Sequence, residues 1–312
     1  MKAMIATKYG SPEVLQLADV EKPTPKADEV LVQVVATAVN QADNHVLSGS
    51  LRFSTGIFKP KHPILGSDIA GVVAAVGKDV TQFQVGDAVF GDLSGQGRGG
   101  FAEYVAVPEA ILVRKPGNLT FPQAAAVPMT AVTALQGLRD KGELQRGERV
   151  LINGASGGVG TFAVQIARAL GGEVTAVASS QKLDMVRAIG ADHVIDYKKE
   201  DFTQNGQQYD LIFDTVGNRL VAEYERALVG NGRFVTTTFL PALLWRRGSP
   251  KMVNLMAHPD RTDLLYLTQL IEAGRVVPII DRCYPLAEVP EALRYLGEGH
   301  AQGKVIIQIA GH

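Results

Sequence analysis

Asn153-Gly-Ala-Ser-Gly-Gly-Val-Gly160 spaces Gly154, Gly157 and Gly160 three apart, between an apolar run, Arg149–Asn153, and an amphipathic stretch, Gly158–Leu170. Residues without a side chain let backbone N–H groups approach a phosphate closely, and the first turn of a helix adds partial positive charge. The chemistry that suits this arrangement is the binding of a dinucleotide pyrophosphate, with Gly154, Ser156, Gly157, Gly158, Val159 and Gly160 as its candidate residues. The bland alternative is a tight strand–helix turn that binds nothing, but packing alone does not call for so many glycines.

A carboxylate that binds the ribose 2′-hydroxyl of NAD is expected about 20 residues further on. There the sequence has Ala178-Ser-Ser-Gln-Lys182, with no carboxylate until Asp184. Two hydroxyls and a cation, from Ser179, Ser180 and Lys182, suit a 2′-phosphate, so NADPH is the expected cofactor. Ser180 also suits a helix N-cap, and both roles can hold together.

These residues need a scaffold, and the pattern supplies one. After Phe121-Pro122, Gln123–Leu138 reads as helical, and strands then alternate with helices. The strands are Arg149–Asn153, Glu173–Ala178, His193–Ile195, Asp210–Asp214 and Arg233–Thr237; the helices are Gly158–Leu170 and Lys182–Ile189. This rhythm predicts βαβ units and a parallel sheet. Residues 1–120 read as short strands broken by Gly and Pro, at Glu29–Val39, Gly71–Gly77, Gly86–Gly91 and Phe101–Val107, which predicts a compact sheet or partial barrel. The tail offers a helix at Asp263–Ala273, an apolar run at Val276–Ile280, a helix near Val289–Leu296 and a strand at Lys304–Ile309. Local pattern leaves open whether the tail closes the parallel sheet or returns to the first domain.

Composition excludes several classes. The 312 residues carry 31 Lys plus Arg against 32 Asp plus Glu, a net charge of −1, which gives no electrostatic footprint for general nucleic-acid binding. A hydrophobic share of 46% excludes a disordered chain. One cysteine, Cys283, allows no intrachain disulfide and no multi-Cys metal site, and fits a reducing compartment. No apolar run reaches the ~20 residues of a membrane span, and Met1–Gly10 lacks the apolar core of a signal peptide. A cytoplasmic protein that binds neither membrane nor nucleic acid is expected.

Further marks are Val39-Asn-Gln-Ala-Asp43, Gly66-Ser-Asp-Ile-Ala-Gly-Val-Val73, Val76-Gly77, Phe83-Gln-Val-Gly-Asp87, Gly190-Ala-Asp-His-Val-Ile-Asp-Tyr197, Asp214-Thr-Val-Gly217 and His300-Ala-Gln-Gly-Lys-Val305. Together with the glycine loop they resemble the zinc-independent quinone oxidoreductase branch of the medium-chain dehydrogenase/reductase superfamily, which includes zeta-crystallin-like quinone reductases and plant enone oxidoreductases. The resemblance spans essentially the whole chain. It implies an α/β protein with a GroES-like β-rich catalytic domain, residues 1–122 and 257–312, and a Rossmann doubly wound parallel-sheet domain, residues 123–256. In that arrangement the tail returns to the first domain, and the cleft between the domains holds nicotinamide and substrate.

Zinc is not expected. Where zinc alcohol dehydrogenases place a Cys ligand this chain resembles them with Asn40, and where they have His-Glu it has Ser67-Asp68; the four-Cys lobe is missing, and the six histidines show no ligand spacing. Without a metal, hydride transfer from NADPH to a quinone or an enone is easier than reduction of an isolated ketone. The alternative is an NADPH-binding scaffold or sensor with little turnover.

The resemblance also names candidates. Asn40 would face nicotinamide and substrate, with loop capping as its other role, and Asp43 would order the same loop. His45 stands where many relatives carry a Lys and could donate a proton near neutral pH; a surface helix His is the alternative. Thr130 would lie beside the nicotinamide, or simply bond its own helix backbone. Tyr197 would pack near adenosine or the 2′-phosphate. Val216, Gly217, Thr238 and Phe239 end strands that face the cofactor, and Gly303-Lys304 would reach it. The loop Phe239–Lys251, with Trp245, Arg246 and Arg247, is either a substrate lid or an exposed basic loop. Lys251–Met256 reads as an apolar edge strand, which with the resemblance implies a homodimer.

Overall fold

The structure is a computed structural model that describes residues 1–241, 243 and 251–309. Trp245, Arg246 and Arg247 lie outside the described residues. The chain forms two compact units: residues 1–129, 259–272 and the stretch from Pro278 make the first, and residues 130–258 and 273–277 the second.

The first unit contains β1 (Lys2–Ala6), β2 (Leu15–Asp19), β3 (Glu29–Ala38), α1 (Gln41–Leu47), α2 (Arg52–Thr55), β4 (Asp68–Val76), β5 (Ala88–Asp92), β6 (Tyr104–Pro108), β7 (Leu112–Arg114) and α3 (Phe121–Ala125). The division at 129/130 falls inside α4 (Pro128–Leu135). The expected helix over Gln123–Leu138 is therefore broken, because Pro128 disfavours helical backbone in the residue before it. The second unit continues with β8 (Arg149–Asn153), α5 (Gly158–Leu170), β9 (Glu173–Ala178), α6 (Leu183–Ala188), β10 (His193–Asp196), β11 (Tyr209–Asp214), α7 (Val221–Arg226), β12 (Leu228–Thr236) and β13 (Lys251–Asn254). Then come α8 (Arg261–Glu272), β14 (Ile280–Pro285), α9 (Val289–Gly297) and β15 (Lys304–Gln308), all in the first unit.

The first unit is built on the sheet β14-β15-β3-β4-β5-β7, with β6 also on β3. β3 is the centre of this sheet. Its ten residues, rich in Val and Ala, pair antiparallel with β4, β6 and β15, and nearly all are buried. Val30, Val32, Val34, Ile69, Phe101, Val289, Leu293, Val305 and Ile307 share one core. The tail thus closes the first unit's sheet: Ile306 lies opposite Ala38.

The second unit is a parallel sheet in the order β10-β9-β8-β11-β12-β13. In chain order this is 3-2-1-4-5-6, the doubly wound arrangement, whose strand order reverses between β8 and β11. All five strands that precede β13 end in the same direction, so the loops that follow them gather at one edge.

The apolar run Val276–Ile280 is not a strand before Ile280. Pro278 has no N–H for a ladder, and Val277 is instead held by the Gln165 side chain, which accepts from its N–H at 2.8 Å and donates to its carbonyl at 2.9 Å. The strand begins at Ile280. Among the described residues, no helix is long and apolar enough to cross a membrane.

Candidate active site and dinucleotide site

The strand ends of the second unit bring the predicted dinucleotide residues together. Gly154–Gly160 follow β8, Ser179–Lys182 follow β9, Tyr197 follows β10, Val216 and Gly217 follow β11, and Thr238 and Phe239 follow β12. Gly154 has φ +82°, and a Cβ on Gly160 would sit 2.1 Å from the Gly154 carbonyl oxygen. The first turn of α5 therefore approaches the end of β8 as only glycine allows. Gly157 precedes α5 in extended backbone, and the next N–H groups have no acceptor one turn back. These groups fit a pyrophosphate.

Behind the loop stands a polar network not predicted from sequence. The Asp214 carboxylate accepts from the Asn153 amide at 2.8 Å, from the Thr236 hydroxyl at 2.8 Å and from the Gly217 N–H at 3.0 Å. It fixes the β11 turn that carries Val216 and Gly217. Val216, Phe239 and Tyr197 are exposed.

A carboxylate does stand beside Ser179–Lys182. It comes from Asp196, whose Cα lies opposite Ala178 across the β10–β9 pair. The Ser180 hydroxyl donates to it. That bond, with the Lys198 N–H and the nearby lysines, holds the Asp196 carboxyl below the usual carboxylate range.

The first unit holds a second cluster. Lys304, at the start of β15, is 2% exposed, and its ammonium lies 2.6 Å from Asn40 Oδ1 and 3.2 Å from Asp68 Oδ2. The Asn40 amide donates to the same Asp68 oxygen at 3.0 Å, and the other Asp68 oxygen accepts from the Met129 N–H at 2.7 Å. Lys304 so fixes the orientation of the Asn40 amide, with its oxygen toward the ammonium and its nitrogen toward the carboxylate. Asp43 accepts from the N–H groups of Asn40 at 2.9 Å and Gly66 at 3.3 Å, which orders this loop, and burial pushes its carboxyl up to about 6. Burial, and then the negative Asp68, pushes Asp92 up to about 7. Ser67 Oγ is buried with no hydrogen-bond partner among the described residues.

The other candidates are dispersed. His45 is exposed on α1, with no side-chain hydrogen bond or ion pair among the described residues. Thr130 is buried in α4. Gly303 has φ +85° and turns the chain into β15 ahead of Lys304.

Zinc does not fit at Asn40, Ser67 and Asp68. The amide oxygen and the carboxylate already hold an ammonium, and a second cation against it would be repelled. Among the described residues, no three His, Cys, Asp or Glu side chains form a metal-ligand group.

Two families match the chain: "Alcohol dehydrogenase GroES-like domain" over residues 26–117 and "Zinc-binding dehydrogenase" over residues 189–307. The 2-methylene-furan-3-one reductase of Solanum lycopersicum is 35% identical, over 98% of this chain and 79% of its own. The chloroplastic NADPH-dependent alkenal/one oxidoreductase of Arabidopsis thaliana is 34% identical over the same shares. The solved quinone oxidoreductase of Coxiella burnetii superposes with a TM-score of 0.88, covering 99% of both chains at 28% identity. By these matches the chain belongs to the medium-chain dehydrogenase/reductase superfamily of NAD(P)-dependent oxidoreductases, in its quinone oxidoreductase branch.

Proposed function

We propose that this chain is an NADPH-dependent reductase of quinones or α,β-unsaturated carbonyls that works without zinc and as a homodimer. The observation that carries the reading is the glycine cradle at the strand ends in a chain whose Asn40–Asp68 position holds a lysine ammonium in place of a metal. The names of the relatives, an alkenal/one oxidoreductase and a furanone reductase, support the substrate class.

NADPH, when bound, supplies a hydride, which a conjugated acceptor takes while negative charge moves to its oxygen. The chain's own work is binding and orientation. N–H groups of Gly157–Gly160 hold the pyrophosphate. Ser179, Lys182 and Tyr197 take the adenosine end, with Lys182 as the cation for the 2′-phosphate. Backbone at Val216, Gly217, Thr238 and Phe239 lines the strand ends. Asn40 is kept in one orientation by Gly303-Lys304, Thr130 packs beside the nicotinamide, and His45 is the candidate proton donor.

The test is a steady-state assay of the purified chain against a panel of quinones and enones, in the presence of a zinc chelator, with NADPH or NADH. Turnover with NADPH is expected. Lys182→Ala should weaken NADPH binding about tenfold, the value of one charge-assisted contact. Turnover that appears only with added zinc, or equal affinity for NADH and NADPH, would sink the reading. NADPH binding with no turnover across the panel would leave a scaffold or sensor.

A further inference from the structure

The adenosine end of the site contains two groups that work against each other. Lys182 and the lysines beside Asp196 favour a phosphate. The Ser180–Asp196 pair does not. A hydroxyl has one hydrogen, and an ionised carboxylate only accepts. The Ser180 hydrogen is donated to Asp196. What Ser180 then offers to any other group is lone pairs. A phosphate dianion also presents only acceptors, so Ser180 as placed gives it nothing, whereas a ribose 2′-hydroxyl can donate to Ser180.

Asp196 adds a charge of the wrong sign for a phosphate. Its other oxygen accepts from the Lys198 N–H at 3.1 Å, and the Lys199 ammonium lies 3.8 Å away. Both contacts favour the ionised form. The residue is buried at the end of β10, in register with the last residue of β9, at the same sheet edge as the glycine loop.

We propose that Asp196, acting through Ser180 and by its own charge, is a specificity-determining residue that holds down the chain's preference for a 2′-phosphate over a 2′-hydroxyl. This rests on the reading of Ser179–Lys182 as the adenosine end of an NADPH site. Part of the selectivity given by Lys182 is offset by Asp196, which leaves the site able to accept both cofactors in a graded ratio.

Adenosine 2′,5′-bisphosphate and 5′-AMP differ only in the group at issue, and calorimetric titration of the full chain with each reads the ratio directly, without turnover. Asp196→Asn removes the charge, and with its amide oxygen kept by the Lys198 N–H it turns its NH2 group to Ser180, which frees the Ser180 hydrogen; it should raise the bisphosphate/AMP affinity ratio about tenfold. Asp196→Glu should keep the ratio of the unaltered chain, and Asp196→Asn with Ser180→Ala should lose part of the gain. A ratio unmoved by Asp196→Asn overturns the inference. Should that variant fail to fold, Ser180→Ala alone decides: weaker 5′-AMP binding with the bisphosphate unchanged supports the pair, and the reverse refutes it. If the unaltered chain favours 5′-AMP while Asp196→Asn still raises the ratio, the NADPH reading falls and this inference stands. If the unaltered chain binds neither ligand, both fall.

Discussion

A lysine ammonium deprived of water has few stable arrangements, and Lys304 has one: an amide oxygen, a carboxylate and strands that hold both. Lys304→Met keeps the length of the side chain and leaves Asp68 without its cation. Breaking a buried pair from one side costs about 3–5 kcal/mol. Denaturant unfolding should show a loss of that size, and Lys304→Met with Asp68→Asn should recover much of it. A single variant as stable as the parent would mean that the pair contributes nothing. The neighbouring carboxyls set a pH dependence. Asp43 and Asp92 are raised from 3.8 to about 6 and about 7 in the folded chain, so folding takes up protons. Their contribution to stability is complete below 3.8 and is lost as pH rises through about 6 and then about 7. Unfolding free energy measured across that window should fall with rising pH by this contribution, and Asp92→Asn should flatten the slope. An unchanged slope would show that Asp92 titrates alike in the folded and unfolded chain.

At the scale of the element, the strand–loop–helix of residues 149–170 was legible because its signals are local: an apolar run, spaced glycines and an amphipathic helix that follow one another. Its glycines are not equivalent. A methyl on Gly160 meets backbone at 2.1 Å, whereas one on Gly157 has nothing nearer than 3.6 Å. Gly160→Ala should cost about 1–3 kcal/mol by overpacking, and Gly157→Ala should unfold near the parent temperature. Equal melting temperatures would contradict the close approach. Asp196 escaped the sequence for a physical reason. A search about 20 residues past the glycine loop finds only the carboxylates of β9's own continuation, while this one arrives from the next strand through a register that no local pattern encodes. Lys304 was visible as part of a motif, but not its partners, which lie 264 and 236 residues away. β14 was not legible because it is an edge strand: none of Ile280–Pro285 is buried, and the stretch lacks the apolar run that announces a buried strand.

At the scale of the whole molecule, β13 ends the parallel sheet with one side unpaired among the described residues. An apolar edge invites pairing, and a two-fold copy would satisfy it. Val253→Pro removes the N–H that faces β12, on the same side as the Leu255 N–H that donates to Thr236, and by distorting this edge strand should shift light-scattering mass from about twice 33.3 kDa toward the monomer. A parent chain that is monomeric and fully active at micromolar concentration would refute the dimer. The connection of β15 to β3 has a consequence in time. Asp68 leaves the ribosome 236 residues before Lys304. At about 5–20 residues per second, that is a wait on the order of ten to fifty seconds. During it β3 lacks a sheet neighbour, and Asn40 and Asp68 lack their cation. The parallel sheet, contiguous from residue 149 to 254, can form while synthesis continues. The candidate active site of the first unit is therefore a late product of translation, and the nascent chain carries an open strand edge that chaperones would meet first.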